Sequence, residues 1–215
     1  MSRLIYNYRD KGIINMISIT NEIKKRIDNY EEGTIFLTAS FSDLATNTTI
    51  RKCLGRLTDA GIINRLFDGI YEKPKYSKFL NEYIPANPEK VAKAIADNYH
   101  WNIAPCDDLV LNYFGLSTQI PIVWTYISDG PYRIYQYDNI KISFKHRTNR
   151  NISKLSNITI MVIEVFRAIG KEHVDEKTIK ILKNKLSKED KAIIIKEAIN
   201  SPEWIYKNIR KVCVE

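Results

Sequence analysis

Thr48 to Tyr71 reads TTIRKCLGRLTDAGIINRLFDGIY, and this stretch decides the fold of the first part of the chain. At about 100° per residue, Ile50, Cys53, Leu54, Leu57 and Ala60 share one arc of a helix, while Thr48, Arg51, Lys52, Gly55, Arg56 and Asp59 occupy the opposite arc. The spacing predicts an amphipathic helix with a cationic outer side. Gly61 is placed to end it, since glycine takes the left-handed conformation after a last helical turn at little steric cost. Ile62 to Leu66 follows as an extended run, and Asp68-Gly69 is a hairpin-turn pair. The return strand, Ile70 to Lys73, stops at Pro74, which has no N–H to give a sheet ladder. A short basic helix followed directly by a two-stranded ribbon is the sequence form of a winged helix-turn-helix, whose second helix lies in a DNA major groove with the wing against the backbone.

Upstream residues fit the same plan. Ser18 to Glu31 places Ile19, Ile23, Ile27 and Tyr30 at helical spacing, with Ser18 or Thr20 to cap its start and Gly33 to stop it. Thr34 to Leu37 is β-prone. Ser40 to Ala45 can supply a brief helix with Phe41 and Leu44 inward, and Asn47 or Thr48 can cap the helix that follows. A small α+β domain carrying one amphipathic helix with a solvated cationic face accounts for the same features.

With 215 residues, two domains of ordinary size are expected, divided as 1–80 and 81–215. A hydrophobic content of 44% is that of a folded protein, and the formal charge of +8 favours a polyanionic partner. The charge is shared along the chain: residues 1–75 carry twelve basic and nine acidic side chains, and the remainder twenty-one and sixteen. The densest basic cluster is Lys141, Lys145, Arg147, Arg150 and Lys154, and no acid interrupts 139–163. Cys53, Cys106 and Cys213 are far apart, without a CxxC pair or a histidine at zinc-ligand spacing, so no metal and no cofactor are expected. An odd thiol count, a Met-Ser-Arg start without a signal peptide and the lack of a bilayer-length apolar run lead to the expectation of a cytoplasmic protein.

The second half reads as α+β with a helical tail. Tyr76 to Pro88 is a proline-flanked connection, Asn87 caps a helix running from Glu89 to Asn98, and Asp107 to Phe114 forms another helix ended by Gly115. IVWTYIS, YRIYQY and IKISFKHR, separated by Asp129-Gly130-Pro131 and Asp138-Asn139, read as three strands in a meander. Helices then follow over Leu155 to Ile169, Asp175 to Leu186, a segment opened by the Ser187–Asp190 capping box, and a last one started by Ser201-Pro202-Glu203.

Eight segments follow one another along the chain: IRKCLGRLTDAGII from Ile50, GIYEKP from Gly69, NPEKVAKAIA from Asn87, NYFGLSTQIP from Asn112, YISDGPYRIY from Tyr126, KHRTNRN from Lys145, VIEVFRAIGKEHVD from Val162 and SPEWIYK from Ser201. In this order they resemble the AbiEi-type antitoxins of bacterial type IV toxin–antitoxin systems, in particular their DUF6088 branch. The resemblance implies an N-terminal winged helix-turn-helix that represses its own operon from the promoter region. It also implies a mixed α/β antitoxin-type C-terminal domain that counteracts a nucleotidyltransferase-type toxin without needing a stable complex with it. Such sequences commonly carry a base just before the wing glycine. Here Asp68 stands there, which shifts the expected phosphate contacts to Arg65 and Lys73 on the hairpin arms.

On this reading Thr48, Thr49, Arg51 and Lys52 reach base edges with Arg56 one turn on, since arginine pairs bidentately with guanine, and Ser40 and Ser42 add phosphate contacts. The cluster of Lys145, His146, Arg147, Arg150 and Lys154 is either a second phosphate patch, part of the surface that answers the toxin, or a solvated strand end. A regulator with a ligand- or protein-sensing second domain and no toxin is the other binding reading. An enzyme is not expected: Asp107, Asp108, Asp129 and Glu164 are the only acids that could cluster, and neither a nucleotidyltransferase signature nor a P-loop is present.

Overall fold

In this computed structural model, which describes residues 18–148, 152 and 154–214, the chain is a mixed α+β protein. It divides into two compact units, one ending at Asn98 and the other beginning at Tyr99. The sequence places the boundary at 80/81 instead. The difference is the helix α3 (Pro88–Tyr99), whose Asn98 side chain lies against the hairpin glycine Gly69 and so belongs with the first unit. Asn87 caps α3 as expected, its side-chain oxygen accepting from the backbone N–H groups of Glu89 and Lys90, each at 3.1 Å.

The first unit opens with a helix, α1, over residues 18–28. Ile23 and Ile27 on its inner side are fully buried. Then come β1 (Ile35–Leu37), a 3-10 turn (Thr38–Phe41), α2 (Asn47–Asp59), β2 (Asn64–Phe67) and β3 (Ile70–Glu72), with the strands in the order β1-β3-β2, both pairs antiparallel. The expected brief helix over 40–45 is therefore a single 3-10 turn set earlier, at 38–41. It is anchored at its start, where the Thr38 N–H donates to the Gly69 carbonyl at 2.9 Å. Phe36 centres the core, stacked on Tyr71 at 6.0 Å between ring centroids and meeting Phe41 edge-on at 5.8 Å. Ile50, Cys53, Leu54 and Leu57 of α2 fill the rest of that core.

Residues 75–84, read from sequence as a connection, form a second hairpin, β4 (Lys75–Ser77) with β5 (Glu82–Ile84). Its turn uses Asn81 at φ +56°, the left-handed region that asparagine tolerates best after glycine. The Tyr76 hydroxyl donates to the Asn81 side chain at 2.7 Å, and the Tyr76 and Tyr83 rings pack edge-on across the strands at 5.1 Å.

In the second unit β6 (Ile103–Pro105), β7 (Val123–Ser128), β8 (Arg133–Tyr137) and β9 (Ile140–His146) form one sheet in the order β6-β7-β9-β8. This corrects the expected meander: β9 lies between β7 and β8 and runs parallel to β7. Burial explains the order. Ile142 and Phe144 of β9 are buried and take the centre, whereas Arg133, Ile134 and Gln136 of β8 are exposed and take the edge. The YISDGP segment serves the sheet. Gly130 lies so close under the Trp101 indole that a side chain there has no room, and its carbonyl is 2.8 Å from His146 Nδ1.

The helices α4 (Asp107–Phe114), α5 (Asn157–Ile169), α6 (Glu176–Lys185), α7 (Lys188–Glu197) and α8 (Glu203–Cys213) complete the unit. Val110, Val162, Phe166, Leu182, Ile194, Ile205 and Ile209 share its main core. Ser156 caps α5, Asp175 caps α6, and Ser187 and Asp190 form a reciprocal capping box on α7. No described helix is long and apolar enough to cross a membrane.

Candidate nucleic-acid interface

The geometry of α2 follows from its two faces. With Ile50, Cys53, Leu54 and Leu57 turned into the core, Asn47, Thr48, Arg51, Lys52 and Arg56 are all exposed, and Thr49 is half-buried. No acid occupies the first turn. Among the described residues Arg51, Lys52 and Arg56 make no ion pair, and the exposed Asp59 shares their arc at the far end of the helix. The start of the helix differs from expectation. Thr46, not Asn47 or Thr48, is the cap residue, and its hydroxyl is bonded to that of Thr49 at 3.1 Å instead of to a backbone N–H. The end matches: Gly61, at φ +68°, donates to the Thr58 carbonyl and Ile62 donates to that of Leu57, the double bond pattern of a left-handed C-terminal cap.

Between α2 and the β2–β3 hairpin is a recess of about 230 Å³, with Arg51, Gly55, Thr58 and Asp59 on one side and Arg65, Asp68 and Tyr71 on the other. A Cβ built on Gly55 meets no heavy atom within 4 Å. The sequence places Gly55 on the outer arc without giving it a part. Its open surroundings single it out, because nothing in the protein's own packing calls for a glycine there.

The hairpin arms do not offer the cations expected of them. Arg65 donates to Asp68 at 2.7 Å, so the acid before the hairpin glycine compensates the base three residues earlier. Lys73 Nζ donates to the carbonyls of Asp28 and Tyr30, each at 2.8 Å, at the C-terminal end of α1, where a lysine satisfies orphan carbonyls and the negative end of the helix dipole. Its role is structural. Gly69, buried at the turn and bonded to Thr38, does not form a projecting tip. Ser40 is exposed, but its hydroxyl accepts from the Leu37 N–H at 3.3 Å. Arg26 and Asp43 join α1 to the segment before α2 through two hydrogen bonds of 2.9 and 2.6 Å, which hold the Asp43 carboxyl below its ordinary value.

In the second unit two members of the basic cluster read from sequence are paired with acids, while Lys141 is exposed. Lys145 donates to Asp107 at 2.6 Å, and that hydrogen bond raises the ammonium above its ordinary value. Arg147 lies 3.7 Å from the buried carboxylate of Glu164, which also accepts from Arg167 at 2.7 Å. Lys154 is exposed, and Arg150 lies outside the described residues. The second patch thus loses two of its members to internal pairs.

Three of the four acids that could have clustered are engaged by other groups: Asp107 holds Lys145, Glu164 holds two arginines, and Asp129 accepts from the backbone and side chain of Asn102 at 2.9 and 2.7 Å, while Asp108 is exposed. Among the described residues no group of three or more His, Cys, Asp or Glu is placed to hold a metal ion. Cys106, buried beside Asp107, is pushed up from the ordinary thiol range by desolvation first and by the neighbouring acid second.

Compared with known proteins, residues 22–194 match the model of a family of unknown function, DUF6088, and the chain belongs to that family. No curated protein matches it.

Proposed function

We propose that this DUF6088 member binds duplex DNA through α2, as a winged helix-turn-helix, and acts as the autorepressing antitoxin of a type IV toxin–antitoxin system. The observation that carries the DNA part is the outer arc of α2, where Arg51, Lys52 and Arg56 are exposed and make no ion pair among the described residues, set beside a hairpin. A helix, a strand, a single 3-10 turn in the place of the motif's first helix, a second helix and a hairpin follow one another, an order that supports the winged helix-turn-helix reading, and β1 joins the hairpin as its third strand. An arginine at Arg51 can fork onto guanine O6 and N7. The antitoxin part rests on the ordered resemblance of the eight segments, and its partner is a nucleotidyltransferase-type toxin.

A gel-shift titration on the chain's own upstream region tests the first part. Arg51→Ala costs roughly 1–3 kcal/mol of sequence-specific binding, and wild-type affinity in that variant would rule α2 out as the reader. Expression of the neighbouring gene tests the second part. A nucleotidyltransferase that is toxic alone and harmless with this chain supports it, and a solitary gene removes it. A second reading, a regulator with a ligand-sensing second domain and no toxin, is favoured by an open cleft of about 430 Å³ in the second unit.

A further inference from the structure

That cleft lies between α5, the residues leading into it, and the loop joining α7 to α8. Its floor is aliphatic, built from Leu155, Ile160 and Ile163. Lys154, Arg167 and Lys196 bring three cations to its walls. Both lysines are exposed, and among the described residues neither makes an ion pair. The cleft has two carboxylates, and each is already engaged. Glu164, its side chain 4% exposed, is flanked by Arg167 at 2.7 Å and Arg147 at 3.7 Å, so it is doubly compensated and does not repel an arriving anion. Glu197 accepts from the Ser156 N–H at 2.8 Å and from its hydroxyl at 2.6 Å.

Burying a carboxylate between two arginines adds little net stability, because desolvation offsets much of the attraction. What the arrangement does accomplish is positional. Glu164 fixes one end of the Arg167 guanidinium, whose side chain lines the cleft. A fixed guanidinium with two exposed ammonium groups suits a doubly charged tetrahedral oxyanion better than a single carboxylate. The volume is that of a small-molecule site, well beyond what a bare inorganic anion fills.

We propose that the cleft binds a small organic phosphate monoester, its phosphate held by Lys154, Arg167 and Lys196 and its carbon body resting on Leu155, Ile160 and Ile163. The assignment stands apart from the DNA reading, since it concerns side chains of the second unit only.

Isothermal titration of the full-length chain with phenyl phosphate, AMP, adenosine and inorganic phosphate tests it, alongside the Lys154→Ala/Lys196→Ala double variant and Arg51→Ala. At least one monoester should bind one site saturably, more tightly than adenosine or inorganic phosphate. The exposed double variant should melt like the wild type and lose about tenfold or more in affinity, as expected when charge-assisted contacts go. Arg51→Ala should leave the affinity unchanged. Three results would overturn the proposal: no saturable binding of either monoester, binding unaltered in the double variant, or binding that falls with Arg51 instead. Inorganic phosphate binding as tightly as the esters would refute the part given to the aliphatic floor.

Discussion

Gly55 and Gly61 share one property and differ in another, and the difference gives a test of the α2 assignment with opposite expected signs. A Cβ built at either glycine meets no heavy atom within 4 Å, so neither substitution by alanine meets a steric obstacle. Gly55 lies within α2, where glycine is worse than alanine by about 0.5–1 kcal/mol because more backbone freedom is lost on folding. Gly61 sits at φ +68°, where an L side chain costs about 1–2 kcal/mol. Gly55→Ala should therefore raise the melting temperature of the first unit by a few degrees and Gly61→Ala should lower it, at about 4–8 °C per kcal/mol for a domain of this size. Scanning calorimetry of the full-length chain reads both. A Gly55→Ala protein that melts lower than the wild type would mean that this side of α2 is covered, and the reasoning about its exposure would fail. The same variant has a second readout. The new methyl projects toward the recess between α2 and the hairpin, so with a duplex seated there operator affinity should fall by about fivefold, near 1 kcal/mol, while the fold becomes more stable. Affinity unchanged in the stabilised variant would place the duplex elsewhere on the helix.

Other substitutions separate structural from binding roles. Lys73→Met removes the donor to the α1 carbonyls and should cost about 1–2 kcal/mol in a urea titration, while leaving gel-shift affinity at the wild-type level; a specific loss of DNA binding without destabilisation would return Lys73 to the interface. Asp43 has a folded value below its usual 3.8 because Arg26 donates to it, with desolvation opposing. Its stabilising contribution is complete above that usual value and is lost as pH falls through the lower folded one. Asp43→Asn should accordingly show urea midpoints that change less than the wild type's as pH falls below about 4, and parallel curves would refute the linkage. Gly130→Ala places a carbon within 2.6 Å of the Trp101 Nε1 and should destabilise by about 1–3 kcal/mol or more, seen as a lower thermal midpoint with altered tryptophan fluorescence; a wild-type midpoint would show that the indole moves aside freely.

Signals confined to a few consecutive residues were the legible ones. The 3.6-residue spacing of Ile50, Cys53, Leu54 and Leu57, the left-handed Gly61 and Gly115, the Asn87 cap and the Ser187–Asp190 box each act within one or two turns, and each is found where the sequence places it. The 3-10 turn at 38–41 is too short to show a period. The β4–β5 hairpin hides behind a Ser77-to-Glu82 turn in which asparagine takes the left-handed role usually signalled by glycine. The place of β9 between β7 and β8 is decided by which strand buries more apolar surface, and hairpin spacing alone favours nearest-neighbour pairing. The same division holds at the candidate site. The exposed arc of α2 is a local property and was readable, whereas Lys73 is claimed by carbonyls 43 and 45 residues away and Lys145 by an acid 38 residues away.

Those internal claims reduce the cations available to a duplex, and the reduction can be counted in a salt titration. The formal charge of +8 is a property of the whole composition. Among the bases named for the interface, Arg65 and Lys73 are engaged within the first unit, while Lys145 and Arg147 are engaged within the second, which leaves Arg51, Lys52 and Arg56 on α2 and the exposed Lys154 in the second unit. Each phosphate neutralised contributes about 0.9 to the slope of log affinity against log salt concentration. With Arg51 assigned to a guanine edge, Lys52 and Arg56 are the α2 cations counted against phosphates, which gives a slope of about −1.8 for each bound copy, or roughly a twelvefold loss between 50 and 200 mM salt. Changing Lys52 or Arg56 to glutamine should reduce the slope by about one, whereas Arg51→Gln and Lys145→Gln should leave it nearly unchanged. A slope that falls with Lys145 but not with Lys52 or Arg56 would move the electrostatic contact to the second unit and remove the ground for assigning it to α2.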